Sequence, residues 1–95
     1  MLDCQHIKFS GHAIQRMFER KINKTDVLSV ITSGEVIAEY PDDTPYPSLL
    51  LCGFIEQIPL HIVVAFDQPN GECYVVTTYI PSSDQWTANY KIRRK

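Results

Sequence analysis

Apolar residues recur at Ala13, Ile14, Met17, Phe18 and Ile22, the spacing of a helix with one buried stripe. Ser10 is placed to cap it, because a serine side chain accepts from the first unpaired amides of a helix. A turn at 22–24 then leads to a second helix. Asn23 and Asp26 approximate a capping box, Val27, Leu28, Val30 and Ile31 supply the stripe, and Gly34 is expected as its C′ residue with positive φ. After Gly34 the period shortens towards two. EVIAEY (35–40), SLLLCGF (48–54), PLHIVVAF (59–66) and CYVVTTYI (73–80) read as four strands.

The connections support this division. PDDTPYP carries three prolines and reads as a loop. DQPNGE contains Asn-Gly, a strong hairpin signal, and Pro81 ends the last strand. In the tail, Trp86 and Tyr90 lie four apart, which predicts a short helical turn docked on the body. The expected architecture is one α+β domain over residues 1–95: an N-terminal helical hairpin packed on a four-stranded antiparallel sheet, with a short C-terminal tail.

Composition changes this picture little. A chain of 95 residues, 44% hydrophobic, buries roughly two-thirds of its unfolded surface without metal or disulfide staples. No apolar run reaches the roughly 18 to 20 residues of a membrane span, and the N-terminus lacks signal-peptide order, so a cytoplasmic location is expected. Cys4, Cys52 and Cys73 show no paired spacing. They read as reduced thiols, with no zinc site and no cofactor motif.

Charge changes it more. The net charge of −2 argues against nucleic acid, but its distribution does not. Residues 1–24 hold five basic and two acidic side chains, residues 25–90 hold nine acids and no Lys or Arg, and KIRRK closes the chain. If the two ends meet, Arg16, Arg20, Lys24, Arg93 and Arg94 form a basic face suited to phosphate, with Trp86 and Tyr90 anchoring the tail.

Candidate chemistry lies on the first helix and the last hairpin. His12, in the first helical turn, feels the positive end of the helix dipole, which favours the neutral imidazole that a general base needs. Arg16 and Arg20 follow one and two turns on, and Glu19 is placed to take one of them in a surface pair. A hairpin loop of even length puts His61 and Thr78 on one face, whereas an odd one pairs His61 with Tyr79. The alternative for His61 is a satisfied, half-buried strand histidine.

The run GHAIQRMFERKINKTDVLSVITSGEVIAEYPDD, continued by LLLCGF, PLHIVVAF, VVTTYIP and the closing WTANYKIRR, resembles the bacterial domain-of-unknown-function family 4258. That resemblance implies a fold akin to RelE-like and barnase-like ribonuclease toxins and pairing with a small antitoxin, often one with a zinc ribbon. Its H-x-x-x-R-x-x-x-R pattern falls on His12, Arg16 and Arg20, followed by His61, Thr78 and Tyr79. The implied activity is metal-independent cleavage of RNA through the ribose 2′-OH. His12 and His61 share the base and acid roles, Arg16 meets the phosphate, and Thr78 or Tyr79 orients the substrate. The alternative is a non-catalytic module that binds RNA or protein.

Overall fold

The computed structural model describes residues 3–94, so Lys95 of the basic tail lies outside the described residues. The element order is β1 (His6–Phe9), α1 (Gly11–Arg20), α2 (Lys24–Ser33), β2 (Glu35–Tyr40), β3 (Ser48–Ile55), β4 (Ile58–Asp67) and β5 (Glu72–Tyr79). The strands form one sheet in the order β1-β5-β4-β3-β2. The expectation of four antiparallel strands is therefore corrected to five in a mixed sheet, because β1 pairs parallel to β5. HIKF is only four residues, too short for periodicity to reveal, and its partner lies more than sixty residues away.

Both helix caps form as the local chemistry requires. Ser10 Oγ accepts from the Ala13 amide at 3.0 Å, and Asn23 Oδ1 accepts from the Asp26 amide at 2.9 Å. Helix α1 stops where Lys21 turns left-handed (φ 57°) and its amide closes on the Met17 and Phe18 carbonyls. Gly34 differs from expectation. Its φ is −75°, and glycine is needed instead for close approach, since a Cβ there would lie 2.5 Å from the Val30 carbonyl oxygen. The stripe of α1 is also narrower than its sequence suggests. Ala13, Met17 and Ile22 are buried, whereas Ile14 is 54% and Phe18 86% exposed.

The helices cover one face of the sheet. Ala13, Met17, Val27, Val30 and Ile31 pack there against Leu51, Leu60, Ile62, Val64, Cys73 and Val75. Cys73 is joined to Cys4 in a disulfide, which corrects the reading of three reduced thiols; Cys52 stays free and buried. The parallel pairing of β1 with β5 carries Cys4 to Cys73, and nothing in their spacing of 69 residues signals it. The opposite face carries Cys52, His61 and Tyr79.

Residues 82–94 close over that second face as a strap, without the expected helical turn. Trp86 bridges Arg93, the Thr87 amide donates to the Ile92 carbonyl at 2.9 Å, and the Arg94 amide donates to the Gln85 carbonyl at 2.7 Å. Trp86 and Tyr90 are thus linked by a reversed loop instead of a helix, with Tyr90 at φ 61°. Among the described residues no helix is long and apolar enough to cross a membrane.

Candidate functional site

The last hairpin decides which side chains can meet. Asp67 pairs with Glu72 around a Gln68–Asn70 turn, with Gly71 left-handed at φ 66°. The ladder holds that register up to Val64 and Val75, then shifts by one residue between Val63 and Val64. Thr77 consequently pairs with Val63, Thr78 with Ile62 and Tyr79 with His61. An even loop thus ends in the partner expected of an odd one, because a bulge at Val76 reverses the facing of everything beyond it. His61 and Thr78 therefore lie on opposite faces, correcting the shared face expected from an even loop. Thr78 touches only the histidine's backbone: its hydroxyl donates to the His61 carbonyl at 2.8 Å.

His61 is fully buried beneath the strap. Nε2 lies 2.7 Å from the Tyr90 carbonyl oxygen, which can only accept, so this nitrogen carries the proton. The Nδ1 lone pair then receives the Tyr79 hydroxyl at 3.3 Å. The Trp86 ring stands edge-on to the imidazole, with centroids 4.5 Å apart. Burial pushes the His61 pKa down, opposed by the hydrogen bond to Tyr90. Burial raises that of Tyr79, with a smaller lowering contribution from Arg93. Both groups are held neutral near pH 7.

Helix α1 lies along the part of β5 that β1 is too short to cover. The Ser10 amide donates to the Val75 carbonyl at 3.1 Å, its hydroxyl to the Val76 carbonyl at 3.1 Å, and Arg20 Nη1 to the Thr78 carbonyl at 2.9 Å. Arg20 thus satisfies an edge carbonyl and is fixed beside Tyr79. Arg16 is paired with Glu19 at 3.0 Å on the surface. His12 is exposed, two turns before Arg20 on the same flank, and forms no hydrogen bond to His61, Thr78 or Tyr79 among the described residues. Among the described residues no hydrogen bond joins the two histidines named by the sequence.

The two basic ends do approach each other. Tyr79 borders two clefts. One, of about 410 Å3, is lined by Arg20, Tyr79, Ile80, Pro81, Ser82 and Gln85. The other, of about 430 Å3, holds Ile37, Tyr40, Leu50, Trp86, Ile92 and Arg93 around the same tyrosine. Arg93 lies 5.7 Å from the Trp86 ring centroid, and Arg94 Nε donates to the Ser83 carbonyl at 2.8 Å. Lys24 stands apart, over the Phe9 ring at 4.9 Å. The ion pairs among the described residues are Lys8–Glu72, Arg16–Glu19 and Lys91–Glu35, which leaves Arg20 and Arg93 without a carboxylate partner. Tyr40, Ser82 and Gln85 were not distinguished by sequence, since only the folded tail and the far edge strand bring them to Tyr79.

Comparison with curated proteins and with solved structures yields no match. A family model described as a domain of unknown function (DUF4258) matches residues 9–80, most of the sequence, and the chain belongs to that family.

Proposed function

We propose that this chain is a non-catalytic module that binds RNA. What carries the reading is the meeting of the chain's two basic ends at Tyr79, where Arg20 and Arg93, both without carboxylate partners, flank an aromatic ring. Guanidinium groups interleaved with aromatic side chains suit a phosphate backbone with accessible bases. The binding reading is preferred over catalysis because His61 is sealed with both ring nitrogens engaged. No hydrogen bond among the described residues orients His12 towards a substrate at Tyr79.

A second reading retains the metal-independent endoribonuclease, the toxin of a pair whose antitoxin is a small zinc-ribbon protein. The contact between Tyr79 and His61 favours it, since a phenol backed by an imidazole is an acid–base unit beside an arginine. One experiment separates the two readings. A fluorescently labelled RNA of about a dozen nucleotides, within the reach of a small binding module, is titrated with protein at several salt concentrations in EDTA. The strand is then run on a denaturing gel. Binding that weakens with salt, on intact RNA, is the expected result. Fragments ending in 2′,3′-cyclic phosphate, lost in His12→Ala or Tyr79→Phe, would establish the ribonuclease.

A further inference from the structure

The two clefts present different side chains on either side of Tyr79. The Arg20 cleft is polar where Arg20, Ser82 and Gln85 line it, and Arg20 is already fixed by its bond to the Thr78 carbonyl. A guanidinium held at one nitrogen keeps its remaining donors in a fixed fork, the geometry that matches phosphate oxygens. The Arg93 cleft has the rings of Tyr40, Tyr79 and Trp86 and the aliphatic side chains of Ile37, Leu50 and Ile92 in its walls, with Lys91 and Arg93 beside them. Its volume, about 430 Å3, is enough to admit a group the size of a base.

We infer that the ligand is a single RNA strand crossing Tyr79, with a phosphate on Arg20 and the adjoining base in the cleft between Tyr40, Tyr79 and Arg93. This rests on the RNA-binding reading and names the form of the ligand and its pose. A duplex keeps its base faces stacked and out of reach of the rings, so it leaves the aromatic cleft unused. The nine acids of residues 25–90 also oppose a long, regular array of phosphates, whereas a short strand crossing Tyr79 meets Arg20 and Arg93, neither held by a carboxylate. Unstacked bases have exposed π-faces, which aromatic rings and an arginine take up irrespective of sequence.

The test uses the full chain and three probes: a labelled mixed-sequence RNA of about a dozen nucleotides, that strand annealed to its complement, and a ribose-phosphate strand of the same length without bases. The intact single strand is expected to bind about tenfold or more tightly than either other probe. Tyr40→Ala removes one wall of the cleft at an edge-strand side chain that is 40% exposed, so the fold is kept. It should weaken the single strand about tenfold and leave the baseless strand unaffected. Arg20→Lys keeps a donor for Thr78 but loses the fork, and Arg20→Gln also loses the charge; the latter should flatten the salt slope by about 0.7. Lys8→Ala, on β1 beside the start of β5 and paired with Glu72, at the far end of that strand from Tyr79, serves as the unchanged control.

Equal affinity for duplex and single strand, or equal affinity with and without bases, overturns the inferred pose. Tight single-strand binding that Tyr40→Ala and Arg20→Gln leave unaltered also overturns it, while RNA binding itself stands. Failure of all three probes to bind overturns the RNA reading and the pose together.

Discussion

The same three central strands carry two unlike faces. Towards the helices, Leu51, Ile62, Val64 and Val75 pack against Ala13, Met17, Val27 and Val30, and the buried Thr78 hydroxyl on that side is met by the His61 carbonyl. Towards the strap, Ser48, Cys52, His61 and Tyr79 occupy the intervening positions, and each polar group has a specific partner. Ser48 donates to Asp43, and His61 is held between Tyr79 and the Tyr90 carbonyl. Among the described residues no buried side-chain nitrogen or oxygen lacks a partner. Apolar burial is non-directional and supplies cohesion, whereas a buried imidazole is tolerated only when its donors and acceptors are met. The helix-side face therefore holds the domain together, and the strap-side face fixes the position of Tyr79.

That division is broken most severely from the helix side. Ile62 is fully buried at the centre of β4. Ile62→Ala should lower unfolding stability by about 2–5 kcal/mol in urea titration, the cost of lost transfer plus a residual cavity. A cost under about 1 kcal/mol would show that this face does not dominate the cohesion of the sheet.

On the other face the effect should be local. Trp86 covers His61, and Cys52 is the buried free thiol opposite that histidine. Burial raises the Cys52 pKa, so it should react slowly with thiol reagents in the native protein, while Cys4 and Cys73 are spent in their disulfide. Trp86→Ala should release the strap and speed Cys52 labelling about tenfold or more, with a smaller shift in the urea midpoint than Ile62→Ala produces. A lower midpoint with unchanged labelling would mean that the strap stays closed and only packing is lost.

The mildest probe is pH. Burial depresses the His61 pKa below its ordinary value of 6.5, outweighing the hydrogen bond to Tyr90. Over that interval the unfolded chain binds a proton that the folded protein refuses. Its contribution is complete above pH 6.5 and is lost as pH falls towards the depressed folded value. Urea midpoints between about pH 5 and 8 should fall on acidification, and His61→Gln should reduce that slope. An equal slope in the variant would assign the effect to other groups.

Local chemistry was legible in the sequence, and long-range placement was not. Ser10 and Asn23 cap their helices as read, because a cap is settled within three residues. The hairpin at Gln68–Gly71 was also visible, yet its register was not, since the bulge beyond Val64 has no local signature. That single residue parts His61 from Thr78 and joins it to Tyr79. Phe18 fits the apolar stripe by spacing but stands 86% exposed, because α1 lies along the edge of β5 and buries a narrower flank.

What the amino-acid order determined by itself is the set of elements from α1 to β5, the helix N-caps, the hairpin turn, and the concentration of basic residues at the two ends. Periodicity and capping depend on neighbours a few residues apart, so they can be read along the chain. Only the tertiary structure decided that β1 pairs parallel to β5, that Cys4 reaches Cys73, and that the strap seals His61. It also decided which of the nine basic residues stand at Tyr79 without a carboxylate: Arg20, brought there by the uncovered edge of β5, and Arg93, brought there by the fold of the strap. Those placements depend on pairings between residues as many as 69 positions apart, whose net stability comes from packing that no short window of sequence contains.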